Sequence, residues 1–90
     1  MIRWSKRAFA DFQSIHNFIA ADNPEAARQQ CVFIYESIDQ LNKFPRSGKP
    51  DKKTADYLLP IPRTPYVLTY RLQGKIVLLR RIRHGAQRQQ

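Results

Sequence analysis

The sequence predicts an α+β fold of the order β-α-α-β-β-β, in which a two-helix hairpin packs on one face of a small, mainly antiparallel twisted sheet. First, apolar residues recur at helical spacing early in the chain and alternate as in a strand near its end. Second, short segments rich in Pro, Gly or Asn separate these stretches. Third, 90 residues suffice for one core. Residues 1–90 are therefore expected to form a single domain.

Two helices are expected in the first half, after a short strand from Ile2 to Trp4 that suits a sheet edge. Ser5 is a good N-cap for the first helix, and Asn23-Pro24 marks the start of the second. Because few residues connect them, the helices should form an antiparallel hairpin. The apolar stripes are Ala8, Phe12, Ile15 and Ile19 in the first helix, and Ala27, Cys31, Ile34, Ile38 and Leu41 in the second.

The second half is predicted to supply the other strands. Residues 46–53 read as a basic loop without regular structure, and residues 57–59 as a short strand. Residues 65–85 should form a hairpin that turns at Gln73-Gly74. The continuous apolar run 76–79 predicts a strand covered on both faces. The turn would fix these cross-strand pairs: Tyr70 with Val77, Leu68 with Leu79, and Tyr66 with Arg81.

Positive charge is concentrated in the second half of the chain. The net charge is +9, yet residues 1–42 hold four Lys and Arg against five Asp and Glu, whereas residues 43–90 hold twelve against two. No acidic residue follows Asp56. A surface of one sign attracts polyanions, so the partner is expected to be nucleic acid or an acidic protein segment.

Several classes of protein are disfavoured by the composition. No apolar run approaches the roughly 20 residues of a membrane helix, so no membrane association is expected. The single cysteine, Cys31, cannot form an internal disulfide, which favours a reducing cytoplasm. No Cys and His cluster of the kind that binds zinc is present, and we predict neither a metal nor a cofactor.

Several segments, in this order and spacing, resemble the RelE/ParE family, the toxins of bacterial type II toxin-antitoxin modules. The resemblance implies a concave basic face and a cognate antitoxin whose C-terminal part wraps the toxin. It also implies that contact with DNA is indirect, through the antitoxin. The segments are Trp4-Ser5, residues 19–27, the L-x-x-F-P-x-x-G pattern from Leu41 to Gly48, residues 65–71, and residues 83–86.

The family divides into two activities. RelE-like toxins cut mRNA on the ribosome, and ParE-like toxins poison DNA gyrase. RelE-like members resemble one another in an Arg just after the Tyr of the hairpin strand and in a Tyr near the C-terminus. Here Val67 follows Tyr66, and no Tyr follows Tyr70. The resemblance therefore favours the ParE-like branch, with mRNA cleavage as the alternative and a non-toxic nucleic-acid-binding protein as a third hypothesis.

The candidate site residues differ between the two activities. For mRNA cleavage, His84 would act as acid or base and Arg63, Arg81 and Arg83 would bind phosphate. The alternative is a purely structural role, in which His84 only closes the last strand, and Trp4 and the phenylalanines of the helices contribute to packing. A gyrase poison instead needs a docking surface and no catalytic set. Its charged part would be Arg63, Arg71, Arg80, Arg81, Arg83 and Arg88.

Overall fold

A computed structural model describes residues 1–85 of the chain. They form two helices and a five-stranded mixed sheet, which confirms the α+β class and the helical hairpin. The elements are β1 (Ile2–Trp4), α1 (Lys6–Ala20), α2 (Pro24–Lys43), β2 (Lys49–Pro50), β3 (Asp56–Pro60), β4 (Tyr66–Gln73) and β5 (Ile76–His84). In the sheet, of order β1-β5-β4-β3-β2, β1 runs parallel to β5 and the other neighbours are antiparallel.

Both helices begin where their capping residues predict. The Oγ of Ser5 accepts a hydrogen bond from the backbone N–H of Ala8 at 3.0 Å. The Oδ1 of Asn23 accepts from the N–H of Ala26 at 3.1 Å, and Pro24 occupies the first turn of α2. These caps satisfy backbone donors that a helix start leaves without partners.

The core lies between the helices and one face of the sheet. The predicted stripes supply its helical side, although Phe12 and Ile19 are only partly buried, and Cys31, which was predicted in the same buried stripe, is half-buried and lies outside the core cluster. The even positions of β4 face the same core, as predicted, with Leu68 and Tyr70 fully buried. The buried cluster consists of Ala8, Ile15, Ile34, Ile38, Leu41, Ile61, Leu68, Tyr70, Val77, Leu79 and Ile82. Neither helix of residues 1–85 is long and apolar enough to cross a membrane.

The predicted hairpin register is wrong. The two turn residues are Gly74 and Lys75, so Gln73 pairs with Ile76 and Tyr70 with Leu79. Gly74 has φ +61° and Lys75 does not have a positive φ, which is the pattern of a type II′ turn with glycine first. Gly74 thus supplies the positive φ, but one position earlier in the turn than predicted.

A β-bulge interrupts the same hairpin further along. The register shifts between Thr69 and Tyr70, so that Arg80 has no cross-strand partner while Thr69 pairs with Arg81 and Leu68 with Ile82. With strict alternation, burial of Leu79 would turn Arg81 into the core and Ile82 out of it. The extra residue lets both arginines avoid the core and lets Ile82 enter it.

Two further expectations need correction. Residues 49–50 of the predicted loop form a short edge strand, β2, which pairs with Leu58 and Tyr57. The apolar run 76–79 is not covered on both faces: Val77 and Leu79 are buried, while Ile76 and Leu78 are half-exposed. Both helices lie on the other side of the sheet, which leaves the face that carries Leu78 open.

Candidate functional site

A cleft of about 470 Å³ lies where the open face of the sheet meets the start of α1. Its floor is formed by Leu58 of β3, Thr69 of β4 and Leu78 of β5. We call it the cationic cleft because its lining includes five basic residues and two acidic ones. They are Lys6, Arg7, Arg80, Arg81 and Arg83, with Asp51 and Asp56.

The start of α1 is attached to the bulge in β5. The Oγ of Ser5 donates a hydrogen bond to the carbonyl oxygen of Arg80 at 3.2 Å. The backbone N–H of Ser5 donates to the carbonyl oxygen of Leu79 at 3.0 Å. The cap that begins the helix therefore also places Lys6 and Arg7 beside Arg80. The helix start and the strand end form one basic wall.

Asp56 orients two of the predicted docking arginines. Its side chain is 11% exposed, and its Oδ1 accepts a hydrogen bond from Arg71 Nε at 2.8 Å. Arg80 Nε lies 3.5 Å from the same oxygen. An ion pair of this kind, shielded from water on one side, holds long side chains in place better than an exposed pair does. Arg80 is therefore preorganised in the cleft, and Arg71 is held by the same carboxylate without lining the cleft.

Asp11 of α1 holds a third predicted arginine. Arg81 donates from Nε to Asp11 Oδ2 at 2.8 Å and from Nη2 to Oδ1 at 3.2 Å. The backbone N–H of Ile82 donates to the same Oδ2 at 2.9 Å. β1 ends beside Leu79, so this carboxylate satisfies a strand donor that β1 no longer reaches. Arg81 thus joins the helix to the sheet as well as lining the cleft.

Three cations of the cleft make no ion pair with any residue of 1–85: Lys6, Arg7 and Arg83. Lys6 and Arg7 are exposed and Arg83 is half-buried. Their charge is not cancelled by a carboxylate within the described chain. These residues therefore provide the strongest attraction for an anionic partner in the cleft.

His84 lies in a neighbouring pocket of about 430 Å³ between α1 and the end of β5. The pocket also contains Tyr66, whose ring meets the His84 ring edge to face at 5.9 Å. Burial raises the pKa of Tyr66, and the nearby Cys31 adds to that rise. Arg81 and Arg83 line this pocket as well as the cleft. Sequence spacing reveals no second acid or base near His84, whereas the structure places the Tyr66 phenol there.

The structure does not bring all the predicted residues together. Arg63 packs on α2 instead of the cleft, with its guanidinium 4.1 Å from the centre of the Phe33 ring and 3.5 Å from the Glu36 carboxylate. Its backbone has φ 65°, in the left-handed region, and its carbonyl accepts from Gln30 Nε2 at 3.2 Å. Arg88 lies outside the described residues. Within residues 1–85 no group of three or more His, Cys, Asp or Glu could hold a metal ion.

An apolar groove of about 320 Å³ lies on the outer side of the helical hairpin. Phe12 of α1 and Cys31, Val32 and Tyr35 of α2 line it. Val32 and Tyr35 are 45% and 63% exposed. Burial raises the pKa of the Cys31 thiol, which keeps it protonated near neutral pH. Exposed apolar area of this kind marks interaction surfaces.

Not every aromatic residue of the helices serves packing. Phe12 contacts Trp4 at 5.4 Å, as the packing hypothesis expects, whereas Phe18 is 81% exposed beside the His84 pocket. Helical spacing alone could not separate these cases, because Phe18 lies at the margin of the apolar stripe.

Sequence reasoning also missed three residues of the cleft and its supports: Lys6, Arg7 and Asp11. The one available signal was Lys6-Arg7 directly after a predicted helix cap, since the first turn of a helix normally favours acidic residues. Basic residues there run against local preference, which is expected where function overrides it.

The sequence profile described as "ParE toxin of type II toxin-antitoxin system, parDE" matches residues 2–89. The chain belongs to this family. Two relatives from Caulobacter vibrioides agree: toxin RelE2 is 32% identical over 83 residues, covering 92% of each chain, and toxin RelE1 is 30% identical over 82 residues, covering 90% of this chain and 88% of the relative. The chain is thus a type II toxin of the ParE/RelE family.

A solved structure supports the fold. A chain of the chromosomal ParDE system from P. aeruginosa superposes with a TM-score of 0.81, covers 92% of both chains and is 24% identical. At that identity the likeness concerns the fold. Membership of a family of toxins from type II toxin-antitoxin systems implies an antitoxin as partner.

Proposed function

We propose that this toxin inhibits bacterial growth by binding and poisoning DNA gyrase, and that an acidic antitoxin neutralises it. The proposal rests on membership of the ParE toxin family, whose gyrase-directed branch the sequence resembles. It is also supported by Val67 in the place where RelE-like toxins carry an arginine. The non-toxic nucleic-acid-binding hypothesis draws no support from the family match.

The observation that carries the proposal is the way in which the cleft arginines are held. Arg80 and Arg81 of the cleft, and Arg71, which shares Asp56 with Arg80, are held by internal carboxylates at 2.8–3.5 Å. Arginines held in this way present a fixed cationic surface, which lowers the entropy cost of docking a protein partner. The same pairing makes them less suited to stabilise a transient phosphorane, because part of their charge is already compensated. A docking role is therefore the simpler use of this surface.

The antitoxin half of the proposal follows from charge and apolar area. The antitoxin would be acidic, and residues 43–90 offer twelve basic side chains against two acidic ones. The apolar groove of the helical hairpin provides a second surface, which could bury the nonpolar side chains of the same antitoxin. Charge would then govern the encounter, and apolar burial the lifetime of the complex.

One observation favours mRNA cleavage on the ribosome as a second candidate. His84 and Tyr66 contact each other in a pocket that Arg81 and Arg83 also line. Tyr66 would donate a proton as the general acid and His84 would act as the base, although burial raises the pKa of Tyr66 and so makes the phenol a weaker acid. Arg83 would bind the scissile phosphate, since Arg81 is committed to Asp11.

The variant Arg83→Glu tests the docking role. We expect the concentration that half-inhibits gyrase supercoiling to rise about tenfold, because charge reversal at a central interface contact typically costs more than 1 kcal/mol. The matched control is Arg46→Glu, which makes the same charge change beside the hairpin turn, at the far end of the sheet. Equal inhibition by the two variants would remove Arg83 from the interface. Arg81→Glu is less suitable because it would break the contact with Asp11.

The variant His84→Ala separates the two candidate functions. We expect growth inhibition within about twofold of the unmodified toxin, because a docking surface depends on no single acid or base. If His84 were a general base, its loss would lower the rate of mRNA cleavage by roughly a hundredfold or more. A loss of toxicity in a protein with unchanged melting temperature would therefore favour the RNase.

A further inference from the structure

We propose that the free toxin forms a symmetric homodimer, in which the outer side of α2 in one copy packs against the outer side of α2 in a second copy. The apolar groove of the helical hairpin lies at the centre of this interface. Neither gyrase nor an antitoxin is needed for the association, which depends only on the surface of the helices.

The outer side of α2 carries four exposed residues at helical spacing, which we call the outer stripe. They recur at i, i+4, i+7 and i+11 and are Arg28, Val32, Tyr35 and Asp39. The two middle positions are apolar or aromatic. A cation stands before them, toward the start of the helix, and a carboxylate stands after them, toward its end. The outer stripe therefore has a basic end, an apolar centre and an acidic end.

The outer stripe is complementary to a second copy of itself when the two helices run antiparallel. The point midway between Val32 and Tyr35 along the chain is also midway between Arg28 and Asp39. A two-fold axis at that point places Val32 of each copy against Tyr35 of the other. It also places Arg28 of each copy against Asp39 of the other. A symmetric dimer needs such a patch, because the same surface must serve as both partners.

The apolar centre of the interface extends from α2 into the groove. Phe12 of α1 and Cys31 of α2 line the groove beside Val32 and Tyr35. Tyrosine is among the residues that contribute most to protein interfaces, because its ring buries a large area while few rotatable bonds are fixed. The Tyr35 ring of each copy covers Val32 at the mouth of the other copy's groove and removes this apolar area from water.

Electrostatics favours this side of the molecule for self-association. α2 carries three acidic and two basic side chains, so its outer side is nearly neutral. The open face of the sheet carries the cationic cleft, and a second copy of the same charge is repelled there. Arg28 can turn from Glu25 to Asp39 of the other copy at little cost, because the pair with Glu25 is exposed and screened by water.

Dimerisation through the outer stripe leaves the cationic cleft of each copy open. The cleft lies on the open face of the sheet, whereas the outer stripe lies on the far side of the helices. The dimer thus presents two basic surfaces that point away from each other. An antitoxin that buries nonpolar side chains in the groove competes with the second copy, so its binding converts the dimer to single toxin chains.

The first test is sedimentation equilibrium of the purified full chain over a range of concentrations. We expect the mass to rise from the 10.6 kDa of one chain to twice that value, with a dissociation constant in the micromolar range. The mass of a single chain at all concentrations up to about 500 μM would overturn the dimer. The assay contains neither gyrase nor antitoxin, so its failure is distinct from a failure of the proposed function.

A charge exchange tests the antiparallel register. Arg28→Glu alone and Asp39→Arg alone should each weaken dimerisation about tenfold, because like charges then face each other in two symmetric contacts. The two changes combined should restore it to within about threefold, since both pairs form again with exchanged signs. Arg46→Glu makes the same charge change outside the stripe and should have less than about a twofold effect. Absence of restoration in the double variant would contradict the register.

A matched pair of aromatic variants tests the apolar centre. Tyr35→Ala should weaken dimerisation by about tenfold or more, because one ring is lost from each copy. Phe44→Ala is the control: Phe44 is 61% exposed, close to the 63% of Tyr35, but it lies beyond the end of α2. It should change dimerisation by less than about twofold. Equal effects of the two variants would indicate unspecific association of exposed apolar residues and would overturn this interface.

Discussion

Replacing Asp11 with Ala is expected to lower the free energy of unfolding by about 3 kcal/mol. The change removes the partner of Arg81, whose side chain is 23% exposed, and leaves the backbone N–H of Ile82 without its acceptor. It therefore combines a stranded, largely buried charge with an unsatisfied backbone donor. Urea denaturation followed by circular dichroism measures the loss as a lower midpoint at unchanged slope.

The control for this prediction is Glu25→Ala. Glu25 pairs with Arg28 at 2.7 Å, but both side chains are more than 70% exposed. Exposed pairs of this kind contribute little to stability, because water and salt screen both charges. If Asp11→Ala cost no more than Glu25→Ala, the Asp11–Arg81 contact would not be what attaches α1 to the end of β5.

Replacing Gly48 with Ala should cost about 2–3 kcal/mol. An added Cβ would lie 2.6 Å from the Tyr70 Oη and 3.0 Å from the carbonyl oxygen of Leu58. Tyr70 cannot withdraw easily, because it is fully buried and its hydroxyl donates to the Pro45 carbonyl at 2.8 Å while accepting from the Gly48 N–H at 2.9 Å. Thermal denaturation should show a lower melting temperature, whereas Lys49→Ala, exposed in the same segment, should shift it little.

A double-mutant cycle identifies the cause of that loss. Tyr70→Phe alone should cost about 1–3 kcal/mol, because it leaves the Gly48 N–H and the Pro45 carbonyl without their partner. Tyr70→Phe combined with Gly48→Ala should cost less than the sum of the two, since the phenol that Ala would strike is gone. Strict additivity would mean that Gly48 is required for some reason other than the approach of Tyr70.

The contact between Gly48 and Tyr70 gives a structural reason for a motif that sequence comparison identifies only as a family resemblance. The L-x-x-F-P-x-x-G pattern ends at Gly48, where a side chain has no room beside Tyr70. Its Pro45 presents the carbonyl that the same phenol binds. The residues between the end of α2 and β2 are thus attached to β4 through one tyrosine. The sequence predicted a loop there, because nothing local indicates a contact with a residue 22 positions away.

The helices and the class of the fold were predictable because their signals are local. Ser5 and Asn23 cap within three residues, and apolar spacing reports the buried face directly. The hairpin register was not predictable to the same degree. It depends on which two residues form the turn and on a bulge at Arg80, and both are decided by packing of Leu79 and Ile82 rather than by local preference.

The sequence predicts the positive charge of the candidate site, but it does not predict which carboxylates pair with which arginines. The excess of arginine in the second half predicts a basic surface, and Arg80, Arg81 and Arg83 of β5 line the cationic cleft. However, the carboxylates that hold those arginines come from distant positions: Asp11 is 70 residues from Arg81, and Asp56 is 15 from Arg71. Arg63 was grouped with the cleft by its charge, yet its loop packs on α2. The amino-acid composition gives the number of charged side chains, whereas the ion pairs of the folded chain decide which of them remain available to bind a partner.

Docking on gyrase, without a catalytic step, is the action that we propose for this toxin. The most direct measurement is supercoiling of relaxed plasmid by purified gyrase at increasing toxin concentration, beside an in vitro translation reaction scored for mRNA cleavage. We expect inhibited supercoiling with trapped DNA cleavage complexes, and intact mRNA. Cut mRNA with unaffected gyrase would contradict gyrase as the target. It would indicate that His84, Tyr66 and Arg83 form an active site for RNA cleavage.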